Sequence, residues 1–290
     1  MQARCAAGAA FALLLAAPAA AAPAADPGVG ALQPGTDGAQ YRRDTVTIAL
    51  GGAWMPDYEG SNDYQLTPMG FAFGRIGGHA FGTRGTSVYV SAIANDPRGE
   101  VNFDFGPVAN LRLDRSRSIH DARVAALGKI GPAVELGGFV AVTKNRVLHA
   151  YDSLAARVAV THDVTNTHDS LIVAPSIDYT TPLGIRTALN LSLNAEHVES
   201  RYAQTYFGVT PAGALRSGLP AYTAKGGWKN WRATMLLGQV LTGDLRNPHL
   251  SAFLGLSYAR ELGAFRRSPV VAIAGSPNQY VATAGLAYTF

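Results

Sequence analysis

The chain has almost no thiol chemistry. Its one cysteine, Cys5, precedes the apolar stretch Phe11, Leu13, Leu14 and Leu15 of an amino-terminal segment, so it is not placed for lipoprotein acylation and is expected to leave with that segment. The remainder then has no disulfide, no cysteine metal site and no cysteine nucleophile. Charge is scarce too. Only 15% of residues are Asp, Glu, Lys or Arg, against about 25% in ordinary soluble domains, and no apolar excess makes up the difference. Long apolar runs are also missing: beyond Ala25 no segment approaches the roughly 18 uninterrupted apolar residues of a spanning helix, so any membrane span must be made of strands. No glycine-rich phosphate loop and no nucleic-acid motif is present, and no cofactor is expected. The net charge of +4 is mild.

What is present begins with a leader. Met1–Ala25 combines Arg4, the apolar stretch and the small residues Ala20–Ala22, the pattern of a secretory signal peptide cleaved after Ala22 or Ala25. Pro18 and Pro23 argue against a retained anchor. Residues 26–44 (DPGVGALQPGTDGAQYRRD) have no periodicity and read as a flexible periplasmic tether.

From Thr45 to Phe290 the chain alternates. Leu189, Leu191, Leu193 and Ala195 form one face, backed by Asn190, Ser192, Asn194 and Glu196. In the last segment Tyr280, Ala282, Ala284, Leu286, Tyr288 and Phe290 share a face, because strand side chains repeat every two residues. A soluble sandwich would place Lys and Glu outside, whereas here the polar face is small or amide, as suits the packed lumen of a small barrel. The expected fold is all-β: a single antiparallel transmembrane β-barrel of 10–12 strands with long extracellular loops. Candidate strands fall near residues 44–55, 65–76, 79–93, 100–113, 130–143, 147–162, 169–181, 184–198, 228–242, 249–262 and 279–290. That number is odd, and single-chain bacterial barrels have an even one. One strand in the first half is therefore missed or falsely split. With both termini in the periplasm, Glu199–Gly227 and Gly263–Asn278 become extracellular loops, and Thr181–Gly184 and Thr242–Pro248 become periplasmic turns.

Three stretches carry a family resemblance. Pro56-Asp57-Tyr58-Glu59-Gly60-Ser61, followed by Asp63-Tyr64 and Pro68, comes first. Tyr206-Phe207-Gly208-Val209, Ser217-Gly218-Leu219-Pro220-Ala221-Tyr222 and Gly226-Gly227 come next. Ser268-Pro269-Val270, Gly275-Ser276 and Asn278-Gln279 precede the final strand. In this order they resemble the MipA/OmpV family of MltA-interacting outer-membrane proteins over most of residues 43–290. Thr289 departs from the basic residue more usual there, and Ile119–Ala150 matches loosely. The resemblance implies location in the cell outer membrane of a Gram-negative bacterium. It also implies a non-catalytic scaffolding role linked to peptidoglycan, bringing a murein lytic transglycosylase and a penicillin-binding protein together.

Pro56 to Ser61 reads as a structured turn: Pro56 fixes φ, Asp57 and Ser61 can cap neighbouring amides and Gly60 permits positive φ. Tyr58 could belong to that loop or, with Trp54, Tyr64, Trp228, Trp231 and Tyr258, to an aromatic girdle. Tyr288 and Phe290 resemble the carboxy-terminal signal read by the barrel-insertion machinery. Asp104, Arg112, Glu135, Glu196 and Arg232 are lumen candidates, which motivates a narrow channel or a small-molecule or adhesin-type binder as the alternative, although in so small a barrel such groups tend to pair. His168-x-Ser170 places both side chains on one face and resembles the His-Ser pair of outer-membrane lipid hydrolases, a remote alternative that needs a lipid-side location and a third orienting residue. His162-Asp163 and His168-Asp169 have the look of metal ligands but lack a third, so no metal site is expected. Outer-membrane lipid and lipopolysaccharide are the expected surroundings, and Arg112–Arg123 and Arg266-Arg267 are candidate contacts for anionic lipid or glycan.

Overall fold

The computed structural model describes residues 44–95, 99–243, 245 and 249–290. The leader, and the tether up to residue 43, lie outside them. Twelve strands form: β1 (Thr45–Pro56), β2 (Tyr64–Ile76), β3 (His79–Arg84), β4 (Ser87–Val90), β5 (Val101–Arg112), β6 (Ala133–Asn145), β7 (Ser153–Asp163), β8 (Leu171–Pro182), β9 (Thr187–Val198), β10 (Gly227–Val240), β11 (His249–Glu261) and β12 (Asn278–Thr289). Each pairs antiparallel with its neighbours in sequence, and β12 closes the barrel on β1 from Thr47↔Thr289 to Trp54↔Ala282.

The missing strand lies in the candidate at 79–93, which is two strands. Arg84 pairs with Ser87 across a two-residue hairpin loop, and Gly85 has φ of 57°, the positive φ that such tight loops require and glycine supplies. The hairpin shifts the side-chain alternation by one residue, so Gly82 and Tyr89 face the same way although their parities differ.

The strands turn their apolar residues outward. Leu191 and Leu193 are 42% and 50% exposed, whereas Asn190 and Ser192 are 0% and 5% exposed. Trp54 and Tyr64 stack outside with ring centroids 4.3 Å apart. Inside, side chains gather in separate layers. Nearest the chain termini, Phe71, Phe73, Leu236 and Phe253 cluster with Ala49. Above them, Arg84 of β3 reaches Asp178 on the opposite wall with two bonds of 3.1 and 2.8 Å. Beside that bridge, the Arg157 guanidinium lies 4.0 Å from the Phe139 ring centroid and 4.6 Å from that of Tyr89.

The two ends of the barrel differ. At the end away from the termini lie the 57–63 turn and three long connections that carry every helix among the described residues: α1 (Ala122–Ala125), α2 (Ser200–Phe207), α3 (Pro211–Ser217), α4 (Gly263–Arg267) and α5 (Pro269–Ala272). Threonine and serine open two of them, Thr210 accepting from the Gly213 amide and Ser268 from the Val270 amide, each with proline in the first turn. The other end holds both ends of the wall and connections of at most ten residues.

Candidate functional site

The three sequence stretches that carry the family resemblance meet in one place, the cap over the loop end. Pro56 to Ser61 is its hub. The Tyr58 hydroxyl donates to the Ala274 carbonyl at 2.9 Å, with the Val270 carbonyl at 3.3 Å, and its ring is fully buried with Val124, Val209 and Leu219. Tyr58 is thus a cap residue and no part of the girdle. Burial holds its hydroxyl well above the usual tyrosine range. Asp57 accepts from the His120 amide at 2.8 Å and faces its ring at 3.0 Å. Gly60 has φ of 92°, and a Cβ there would meet Val271 Cγ2 at 2.5 Å. Its carbonyl accepts from the Ser276 amide, Ser61 bridges to Gly275, and the Gln279 amide side chain bonds the Ser61 carbonyl at 3.0 Å. The Ser268 hydroxyl donates to the Phe207 carbonyl at 2.6 Å, which ties the second stretch to the third.

Beneath the cap lies a buried ionic cluster. Glu59 accepts from Lys229 Nζ at 2.6 Å and from the Tyr202 hydroxyl at 2.9 Å. Lys229 also contacts Glu196. Arg112 bonds Glu135 at 2.6 Å and Tyr202 at 2.9 Å and lies 3.8 Å from Glu59. Asn110 and the His168 ring complete the Glu135 carboxylate at 2.7 and 3.2 Å. Burial by itself would raise the Glu59 carboxyl, but Lys229 and Arg112 outweigh it and hold Glu59 below the usual carboxylate range. Asp114, one layer higher, has the opposite outcome. Burial and the Glu59 charge push it up to about 7, although it accepts from the Glu59 amide at 2.9 Å. Tyr202 and Tyr206 are kept neutral by burial, and the Tyr202 hydroxyl donates to Glu59.

Of the lumen candidates, Arg112, Glu135 and Glu196 come together here. Arg232 is buried deeper, on the strand that also carries Lys229, while Asp104 lies apart near the terminus end, bonded to the Ser91 hydroxyl. Sequence alternation missed Lys229. With Trp231 outward and Asn230 inward, Lys229 should face out, but the ladder slips between Trp228 and Asn230, and this bulge turns the lysine in. It also missed Tyr202, which comes from a helix, and Arg84, whose partner is on the far wall.

The His168-x-Ser170 pair faces the lumen, where both residues are buried, and not the lipid side that acyl-ester hydrolysis needs. The Ser170 hydroxyl donates to the His168 carbonyl at 2.8 Å and accepts from the Tyr202 amide at 2.9 Å, while the imidazole faces Glu135. Asp163 is occupied by Thr165 and by the amides of His168 and Asp169, and His162 lies outside the wall, 3.7 Å from Asp169. Among the described residues no group of three His, Cys, Asp or Glu side chains is arranged to hold a metal. At the other end, the Phe290 amide donates to the Val46 carbonyl at 2.9 Å, and its ring meets Tyr288 edge-on at 4.8 Å.

Several solved barrels are similar in outline. An outer-membrane channel from Pseudomonas putida F1 is 12% identical, with 88% of this chain and 100% of that one covered and a TM-score of 0.39. A loop L8 deletion mutant of the outer-membrane protein OmpT of Vibrio cholerae is 7% identical, with 86% and 98% covered and a TM-score of 0.35. An anion-selective porin from Comamonas acidovorans is 12% identical, with 84% and 74% covered and a TM-score of 0.33. Scores this low add nothing to the topology seen directly in the strand ladder. No curated protein matches the sequence significantly. The profile of MltA-interacting protein MipA matches residues 48–290, from the first strand to the final Phe290, and the chain belongs to that family of outer-membrane proteins.

Proposed function

We propose that this protein is a non-catalytic outer-membrane scaffold with its helical cap outside the cell and its terminus end in the periplasm, where it docks a murein lytic transglycosylase and through it a penicillin-binding protein. The family's name supplies the first partner. The observation that carries the reading is a set of apolar side chains on neighbouring turns at the terminus end. Leu148 between β6 and β7, and Leu183 and Ile185 between β8 and β9, are 77%, 59% and 75% exposed. The turns are braced: His149 Nε2 meets the Thr181 hydroxyl at 2.7 Å, and the Leu245 amide reaches the Ile185 carbonyl at 3.3 Å. Projecting apolar residues on rigid turns suit a protein partner. The tether, residues 26–44, precedes β1 in sequence and belongs to the proposed interface. A layered, ion-bridged lumen favours this reading over a channel.

The test is crosslinking in intact envelopes followed by recovery of the tagged barrel. Leu148→Glu with Ile185→Glu should lower recovery of the transglycosylase several-fold, as should shortening the tether. Leu215→Glu, at a loop-end position 90% exposed, should leave it unchanged. The reverse pattern would favour an outward role such as adhesion or ligand capture. Steady conductance steps in planar bilayers would favour the channel.

A further inference from the structure

The outer wall of the barrel is not evenly convex. Across β8 to β12 and β1 it carries a groove of about 590 Å³. Cross-strand pairing explains it. Ala233 lies between Leu193 and Tyr258 in one row of outward side chains, and Ala282 lies between Leu256 and Trp54 in the next row toward the termini. Each alanine leaves a gap walled by larger neighbours, and the two gaps join diagonally. The lining is almost wholly apolar, so the groove suits hydrocarbon chains.

The chemistry changes one row higher, toward the cap. There Trp231 pairs with Arg260, and Arg260 with Asn278. The Trp231, Tyr258 and Tyr280 rings run along this boundary with successive centroids 5.3 Å apart. The Tyr258 hydroxyl is fixed by Asn278 Oδ1 at 2.8 Å, and Arg260 reaches the same oxygen at 3.4 Å. The helix α4, which follows β11 and packs on β10, carries Arg266 and Arg267, both exposed. The nearby carboxylates Glu196 and Glu261 are turned into the barrel. The sector therefore combines an apolar groove, an aromatic boundary and a rim of guanidinium groups, and guanidinium is the side chain best matched to phosphate.

We propose that this sector is a fixed binding site for one lipopolysaccharide molecule of the outer leaflet, with acyl chains in the groove and lipid phosphates on Arg260, Arg266 and Arg267. The proposal rests on the cap facing the cell exterior. It commits to the phosphorylated glycolipid because several acyl chains would fill a groove spanning two alanine gaps and because the cationic rim lies on the outer-leaflet side.

Native mass spectrometry of the barrel extracted from outer membranes in mild detergent tests it. The wild type should retain one lipopolysaccharide. Retention should fall at least tenfold in Arg266→Ala/Arg267→Ala, which removes charge outside the wall, and in Ala233→Phe, which fills the groove from the lipid side without touching the lumen. Added lipopolysaccharide should restore the bound state of the wild type, whereas its dephosphorylated form and phosphatidylglycerol should not. Heat-modifiable migration of each variant shows that it is folded. Equal retention in wild type and folded variants, or equal restoration by phosphatidylglycerol, would overturn the site. Orientation is read separately by labelling Leu215→Cys in intact cells with an impermeant maleimide. Failure to label would overturn the topology, whatever the lipid result.

Discussion

Lys229 is fully buried, and it is tolerated only because Glu59 and Glu196 meet it. Buried ions cost more in desolvation than they return unless each is paired and hydrogen-bonded, and the cluster meets that condition with neutral Tyr202 bridging Arg112, Lys229 and Glu59. Asp114, beside the cluster, has no cation within salt-bridge reach among the described residues and one carboxylate oxygen without a partner. With its carboxyl raised from 3.8 to about 7, the folded state keeps a proton that the unfolded state gives up. Its favourable contribution is complete below about pH 4, declines as pH rises and is gone above about pH 7. Asp114→Asn keeps an acceptor for the Glu59 amide and removes the titration. The variant should therefore match the wild type near pH 4 and become the more stable of the two toward pH 7 and above. Urea midpoints of the barrel in lipid vesicles across this range check the sign, and a constant difference would exclude Asp114 as the source.

At the scale of elements, the six residues from Pro56 to Ser61 do more than turn the chain. They contact the 113–132, 199–226 and 262–277 connections, and so couple the cap to β1 and β2. Gly60 is its most constrained point, being both left-handed in φ and pressed against Val271. Gly60→Ala should cost about 1–3 kcal/mol of local strain, located in the cap and not in the wall. Limited proteolysis should then cut the 199–226 or 262–277 connection faster while the barrel core stays heat-modifiable. Loss of the barrel itself would mean that the turn is needed for closure. Sequence reading found this segment from its turn chemistry and its family resemblance. It did not reveal the contacts, because these join residues from 55 to 219 positions apart.

At the scale of the whole molecule, the twelve-strand count puts both ends of the wall together, and β12 closes the barrel against β1. Closure requires β12, which supplies one side of the seam with β1. Deleting Phe290 removes the amide bonded to Val46 and the ring packed on Tyr288. It should lower the amount of folded protein in outer-membrane fractions several-fold, measured by heat-modifiable gel mobility. Unchanged levels would remove Tyr288 and Phe290 as the assembly signal.

By itself, the sequence determined the class of the molecule. Scarce charge, no helix-length apolar run and period-two alternation admit little except a membrane barrel, because backbone groups in lipid must all be paired within a closed sheet. It also determined which residues face inward wherever the ladder is regular, as at Arg112, Glu135 and Glu196. Tertiary structure decided what alternation cannot encode. A two-residue hairpin at Gly85 and a bulge at Trp228 each shift the register locally, which set the strand count and buried Lys229. The convergence of three separated stretches on one cap, and the pairing of Arg84 with Asp178 across the lumen, were decided the same way. Such contacts depend on where the closed wall brings distant strands, and periodicity along the chain carries no information about distance across the barrel.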